Sequence, residues 1–93
     1  MMTAYVIVGF TPKNKELIQE YGAKAAPTIA QFQGEFLAKG ISQPLNGKSD
    51  YENQVIIAFP TKAFAEDWYS SPQYQALIDL RDQGMDANFQ LIG

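Results

Sequence analysis

Gln54-Val55-Ile56-Ile57-Ala58-Phe59, closed by Pro60-Thr61, decides the fold of this chain. Six consecutive residues rich in β-branched and aromatic side chains read as a strand, and Pro60 ends it. Its two faces are alike. Val55, Ile57 and Phe59 point one way, and Ile56 and Ala58 the other. The same holds for Tyr5-Val6-Ile7-Val8-Gly9-Phe10, where Val6, Val8 and Phe10 alternate with Tyr5 and Ile7. An antiparallel sheet whose helices lie on one side normally shows polar residues on the other. Here neither central strand has a wet face, so one face needs a cover that the chain does not supply.

Outward from these two strands the order of elements follows. Thr11-Pro12 reads as a hydroxyl cap with proline at the first helical position. Leu17, Ile18, Tyr21, Ala25, Ile29 and Phe32 then recur at helical spacing. Pro27 lacks an N–H and predicts a kink or break, and Gly34 closes the segment. Glu35-Phe36-Leu37-Ala38-Lys39 is a second, shorter strand that Ile41 can extend. Gly40 to Glu52 is the longest connection, with Pro44, Asn46-Gly47 and Ser49-Asp50 as turn chemistry. Thr61 caps a helix carrying Phe64, Ala65, Trp68 and Tyr69. Ser71-Pro72 repeats the cap-then-proline signal and starts another, with Tyr74, Leu77, Ile78 and Arg81 on one face and Gly84 as its stop. Asn88 to Ile92 alternates as a last strand. The order β-α-β-β-α-β predicts a ferredoxin-like α+β domain: a four-stranded antiparallel sheet with its helices on one face.

Composition narrows the chemistry. The 93 residues make one domain, and contain neither cysteine nor histidine. Disulfides, thiolate nucleophiles, Ser-His catalysis, His-ligated metals and a proximal haem histidine are therefore excluded. Ten carboxylates against seven cationic side chains give a net charge of −3. This is the wrong sign for a nucleic-acid binder. The longest apolar runs fall far short of a membrane span. Met1-Met2-Thr3-Ala4 shows no basic stretch ahead of an apolar one, and with the lack of cysteine this leads to the expectation of a cytoplasmic protein that binds neither nucleic acid nor membrane. No metal and no cofactor are expected.

The uncovered face predicts a homodimer joined through the sheet faces, because soluble monomers rarely expose an apolar patch of several hundred Å². Apolar at its middle and polar at its margins, that face has the make-up of a dimer interface and also of a small-molecule cavity. Tyr5, Ile7, Lys39, Trp68, Tyr69 and Arg81 are the cavity candidates. Lys39 falls with Leu37 and Ile41 by pleat. Buried, it can hold a carboxylate or enolate or act as a base; otherwise it is a strand-end lysine reaching water. Glu35 is either a general base or a solvated edge charge. Arg81 either clamps an anion or pairs with Asp79 or Asp82. Trp68 and Tyr69 either line a pocket or pack helix on sheet, and Tyr74 anchors the short helix after Pro72. Asp79, Asp82 and Asp86 lack calcium-loop spacing.

Four segments together resemble a known family. They are Ala4 to Phe10, Phe32-Gln33-Gly34-Glu35-Phe36-Leu37-Ala38-Lys39-Gly40, Val55 to Pro60 and, most specifically, Trp68-Tyr69-Ser70-Ser71-Pro72-Gln73-Tyr74-Gln75. Over nearly the whole chain the sequence is similar to the domain of unknown function family 1330, of the dimeric α+β barrel superfamily. The resemblance implies a ferredoxin-like protomer, a barrel and face-to-face dimerisation. It supplies no reaction. The family commonly has a basic residue at 35, arginine at 39 and glutamate at 58, where this chain has Glu35, Lys39 and Ala58; Arg81 stands where the family tends to keep arginine. The superfamily also includes cofactor-independent monooxygenases of aromatic compounds, muconolactone isomerase-like enzymes and haem binders, the last at odds with a chain lacking histidine. Two readings stand. One is a homodimer that is non-catalytic or binds a small apolar ligand on the sheet face. The other is a cofactor-independent monooxygenase- or isomerase-like enzyme on a small aromatic or apolar substrate, with Lys39, Glu35 and Arg81 as catalytic candidates. A third, weaker one is a subunit that regulates or caps a larger assembly through its acidic surface.

Overall fold

The computed structural model describes residues 3–93, so the first two residues of the N-terminal segment considered above lie outside it. β1 is Ala4–Pro12, α1 Lys15–Gln31, β2 Glu35–Ile41 and β3 Asn53–Phe59. α2 is Lys62–Ser70, α3 Pro72–Gln75, α4 Ile78–Gly84 and β4 Met85–Ile92. The sheet order is β2-β3-β1-β4, every pair antiparallel. This is the ferredoxin-like arrangement expected from the element order.

The barrel implied by the resemblance is not formed. β2 and β4 each have one neighbour and end the sheet as open edges. Closing a sheet on itself needs enough strands, tilted and sheared, to wrap a filled interior. Four strands backed by helices on one face meet none of this, and the molecule stays a thin plate of 32 × 30 × 16 Å.

Between helices and sheet, Val6, Val8, Val55, Ile57 and Phe59 meet Ala25, Ile29, Ala65, Trp68 and Tyr74 in one buried cluster. Trp68, Tyr74 and Phe59 are its largest fully buried side chains. The tryptophan ring lies 4.4 Å from Tyr74 and 5.5 Å from Phe59, centroid to centroid. Thr28 supplies the polar partner that a buried indole needs: Trp68 Nε1–H donates to its hydroxyl at 3.1 Å, and that hydroxyl donates to the Ala25 carbonyl at 2.6 Å.

Several local expectations shift. β1 runs through Thr11-Pro12, and the cap of α1 is Asn14, whose side chain accepts from the Leu17 N–H. α1 continues through Pro27. The residues either side of the proline, Ala25, Thr28 and Ile29, are buried, and their packing outweighs one missing hydrogen bond. Thr61 and Ser71 cap as read, each accepting from the N–H three residues on at 3.2 Å. The helical stretch after Pro72 breaks at Ala76-Leu77 into α3 and α4. Gly84 stays small because α4 crosses α1 closely; a Cβ there would lie 3.2 Å from the Ile18 backbone nitrogen. Among the described residues no helix is long and apolar enough to cross a membrane.

Candidate functional site

The sheet divides the expected site residues between its two faces. Tyr5 and Ile7 lie on the open face, as does Glu35, the cross-strand partner of Ala58. Lys39, Trp68, Tyr69 and Arg81 lie on the helix side. Lys39 is there because of a bulge in β2. Phe36 pairs with Ile57 and Ala38 with Ile56, so Leu37 is an extra residue. In an unbroken strand Lys39 would share a face with Glu35. With the bulge it pairs with Val55 and shares the face of Phe36. The same register makes Glu35 face Ala58.

On that helix side a cavity of about 410 Å³ opens between α1 and the sheet. Its floor includes Val8, Val55 and Ile57, and Trp68, Met85 and Phe89 form part of its wall. α1 leaves room because it turns Gly22, Ala25 and Ala26 toward this space; a Cβ added at Gly22 would touch nothing within 4 Å. Phe36 and Lys39 contribute from the edge strand. Lys39 is exposed and is the only charged residue of the lining. Trp68 reaches the cavity with its N–H already spent on Thr28.

Tyr21 also lines the cavity, and its hydroxyl leads away from it through a polar chain. It lies 2.7 Å from the Tyr74 hydroxyl. Arg81 Nη1 donates to Tyr74 at 3.2 Å and to Tyr69 at 3.0 Å, and Arg81 Nε pairs with Asp82 at 3.1 Å. The guanidinium carbon sits 4.8 Å from the centre of the Phe89 ring. Burial, reinforced by the neighbouring Tyr74, pushes the Tyr21 hydroxyl far above the usual tyrosine range. Burial raises Tyr74 too, against the pull of its hydrogen bonds from Tyr21 and Arg81. Burial alone would loosen the Arg81 proton, but hydrogen bonds to Tyr69 and Tyr74 more than offset it, and the guanidinium is a fixed cation. None of these groups is a base. Arg81 is engaged with tyrosines and Asp82 and stays outside the cavity lining.

What sequence reading missed is the share of α1 in the cavity. In the sequence Tyr21 is only one member of a helical face, and its link to Tyr74 spans 53 positions. The run Gly22-Ala23-Lys24-Ala25-Ala26 carried a signal, since small residues on a buried face leave space. Among the described residues no group of three or more carboxylates could hold a metal ion.

Known proteins of the same shape carry few of the same residues. The crystal structure of the RPA0582 protein of unknown function from Rhodopseudomonas palustris superposes with a TM-score of 0.79 at 15% identity, over 97% of this chain and 80% of that one. A dimeric ferredoxin-like protein of unknown function from Jannaschia sp. CCS1 gives 0.76 at 17% identity, over 99% of both chains. SnoaB, a cofactor-independent oxygenase from Streptomyces nogalater, gives 0.73 at 12% identity, over 100% of this chain and 93% of that one. These likenesses show the fold. No curated protein matches the chain. The model of the domain of unknown function family DUF1330 matches residues 3–93, end to end across the elements that build the cavity, and the chain belongs to that family.

Proposed function

We propose that the cavity beneath α1 is the substrate site of a cofactor-independent oxygenase acting on a small aromatic compound that ionises to a phenolate or enolate. The observation that carries this reading is the lining: mostly apolar side chains, with the Gln19 carboxamide among them and one cation, Lys39, at the rim. A bound substrate would cover the apolar lining and bring its anion against the Lys39 ammonium at the rim. The shared fold with SnoaB agrees with it.

The chemistry asks little of the protein. A substrate carrying an activated CH₂ group loses a proton to water, and the Lys39 ammonium stabilises the anion. The Tyr21 hydroxyl is engaged with Tyr74, which also accepts from Arg81, and this chain fixes the Tyr21 ring in the cavity wall. The carbanion's electron pair forms a C–O bond with dioxygen. Protonation gives a hydroperoxide, which loses water to leave a ketone. One O₂ is consumed, one water is released, and no external reductant is needed. Trp68 and the α1 alanines hold the ring flat.

The test is oxygen uptake by purified, chelator-treated protein with 1,8-dihydroxyanthrone as probe. Turnover to the quinone is expected. Lys39→Met should lower it by ~10-fold or more, about 1.4 kcal/mol of lost anion stabilisation. Gly22→Leu should block binding by filling the cavity. Saturable binding without oxygen uptake would replace the oxygenase with a ligand-binding protein, and absence of binding would remove both.

The open sheet face supports a second part of the proposal, a homodimer. Tyr5, Ala58 and Ile92 lie in one row across the strands, and Ile7 and Ile56 in the next. These apolar rows are the surface through which two copies pair face to face.

A further inference from the structure

The other end of the open face has a different chemistry. One step along the strands from Ile7, the row is Gln54, Gly9 and Asn88, and Gln90 stands beside Ile7. Three carboxamides from β3 and β4 therefore flank β1, spread over about 10 Å at ordinary strand spacing. The carboxamides of this face are gathered at one end, with Glu35 at the other, where sequence reading placed polar residues at the margins.

Residues 42–52 fold back over that end. The Ser42 N–H donates to the Glu52 carbonyl at 2.8 Å, closing the neck, and the Glu52 N–H donates to Thr11 Oγ1 at 3.2 Å. The Tyr51 ring lies on Gly9, where a Cβ would come within 2.8 Å of Cδ2. Between this segment and the sheet is a cleft of about 510 Å³. Ser42, Tyr51, Ile7 and the three amides line it. The hydroxyl of Ser42 is buried there with no hydrogen-bond partner, a state that costs free energy unless something fills the cleft. Lys48 and Asp50, also in the lining, cancel in charge.

We propose that this cleft is a second ligand site, distinct from the cavity under α1 and on the opposite side of the sheet, for a neutral, hydroxyl-rich molecule of sugar or polyol type. Carboxamides offer donors and acceptors together without net charge, which matches hydroxyls and selects against ions. Tyr51 offers an aromatic surface for the C–H face of such a ring. The unpartnered Ser42 hydroxyl supplies a further hydrogen bond. The proposal does not depend on the oxygenase reading.

The test is NMR titration of the labelled protein with methyl α-glucoside, N-acetylglucosamine and myo-inositol. Sodium benzoate serves as the control probe for the cavity under α1. Saturable shifts are expected in the side-chain amide signals of Gln54, Asn88 and Gln90 with at least one polyol, at a Kd of ~1–10 mM. Ser42→Ala, a loop substitution that leaves the fold intact, should weaken binding several-fold. Asn88→Leu with Gln90→Leu should abolish it while the benzoate response persists. No saturation with any polyol up to ~100 mM, or shifts indifferent to Ser42→Ala and to the double variant, would overturn the site.

Discussion

Thr28 shows how much one hydroxyl does in this core. It takes the indole proton of Trp68 and passes its own to Ala25, so both buried groups are satisfied through one side chain. Thr28→Val keeps the shape and removes the acceptor, leaving the indole N–H unpaired at a cost of ~1–3 kcal/mol. Trp68→Phe removes the donor and some volume. In the double variant the orphaned group is gone, so the combined loss should be smaller than the sum of the two. Urea denaturation of all four proteins measures this coupling; strict additivity would mean the bond contributes nothing. The buried tyrosines make a second residue-scale prediction. Tyr21 and Tyr74 hold their protons above the ordinary value of 10.0 when folded. Above pH 10 the unfolded chain therefore loses protons that the folded chain keeps. Stability should be flat in these groups below about pH 9 and then fall by up to about 1.4 kcal/mol per pH unit for each hydroxyl. Arg81, raised as well, keeps its proton in both states over this range and adds nothing. Denaturation curves from pH 8 to 11 should show the decline, and Tyr21→Phe should reduce its slope.

At the level of elements, the joint between α1 and β2 sets the height of the helix above the sheet. Gln33 takes φ 63°, the left-handed geometry that ends helices, and the Gly34 N–H donates to the Ile29 carbonyl at 2.9 Å. The usual glycine position is thus held by Gln33, while Gly34 is required for closeness: a Cβ would lie 2.6 Å from Phe59 Cε1 and 2.7 Å from Ile29 Cγ2. Gln33→Gly should raise stability by up to ~1 kcal/mol, and Gly34→Ala should lower it by ~1–3 kcal/mol. Paired thermal melts decide this, and equal effects of one sign would refute the division of roles. Gly34 was readable as a helix stop, but its reason was not, because Phe59 lies 25 positions away. The same divide runs through the fold. Thr61 and Ser71-Pro72 were legible because a cap is settled within three residues. Pro27 misled because the packing around it is tertiary. The Leu37 bulge was invisible because it exists only relative to β3, and with it went the correct face for Lys39.

For the whole molecule, the open face carries the last prediction. Val6, Val8, Val55 and Ile57 are covered by helices, while Tyr5, Ile7 and Ile56 on the reverse are only half-buried and Ile92 is 51% exposed. A plate of 32 × 30 Å is large enough to bury the ~800 Å² per partner of an ordinary stable interface. In a two-fold pair each patch meets its own copy, so a substitution counts twice. Ile56 lies between Ile7 and Ala38 on that face and makes no part of the helix-side core. Ile56→Lys therefore sets two ammonium groups into one largely apolar contact, with Glu35, across from Ala58 in the next row, as the nearby carboxylate. The native protein should sediment at twice its 10.4 kDa chain mass at micromolar concentration, and the variant at the single mass. Trp68 fluorescence should be unchanged in the variant, because the indole belongs to the opposite side of the sheet. A native protein that sediments as one chain would show that the half-buried rows need no second copy. A variant that stays paired would move the interface to the β2 edge, where Phe36, Leu37 and Ile41 are exposed apolar side chains.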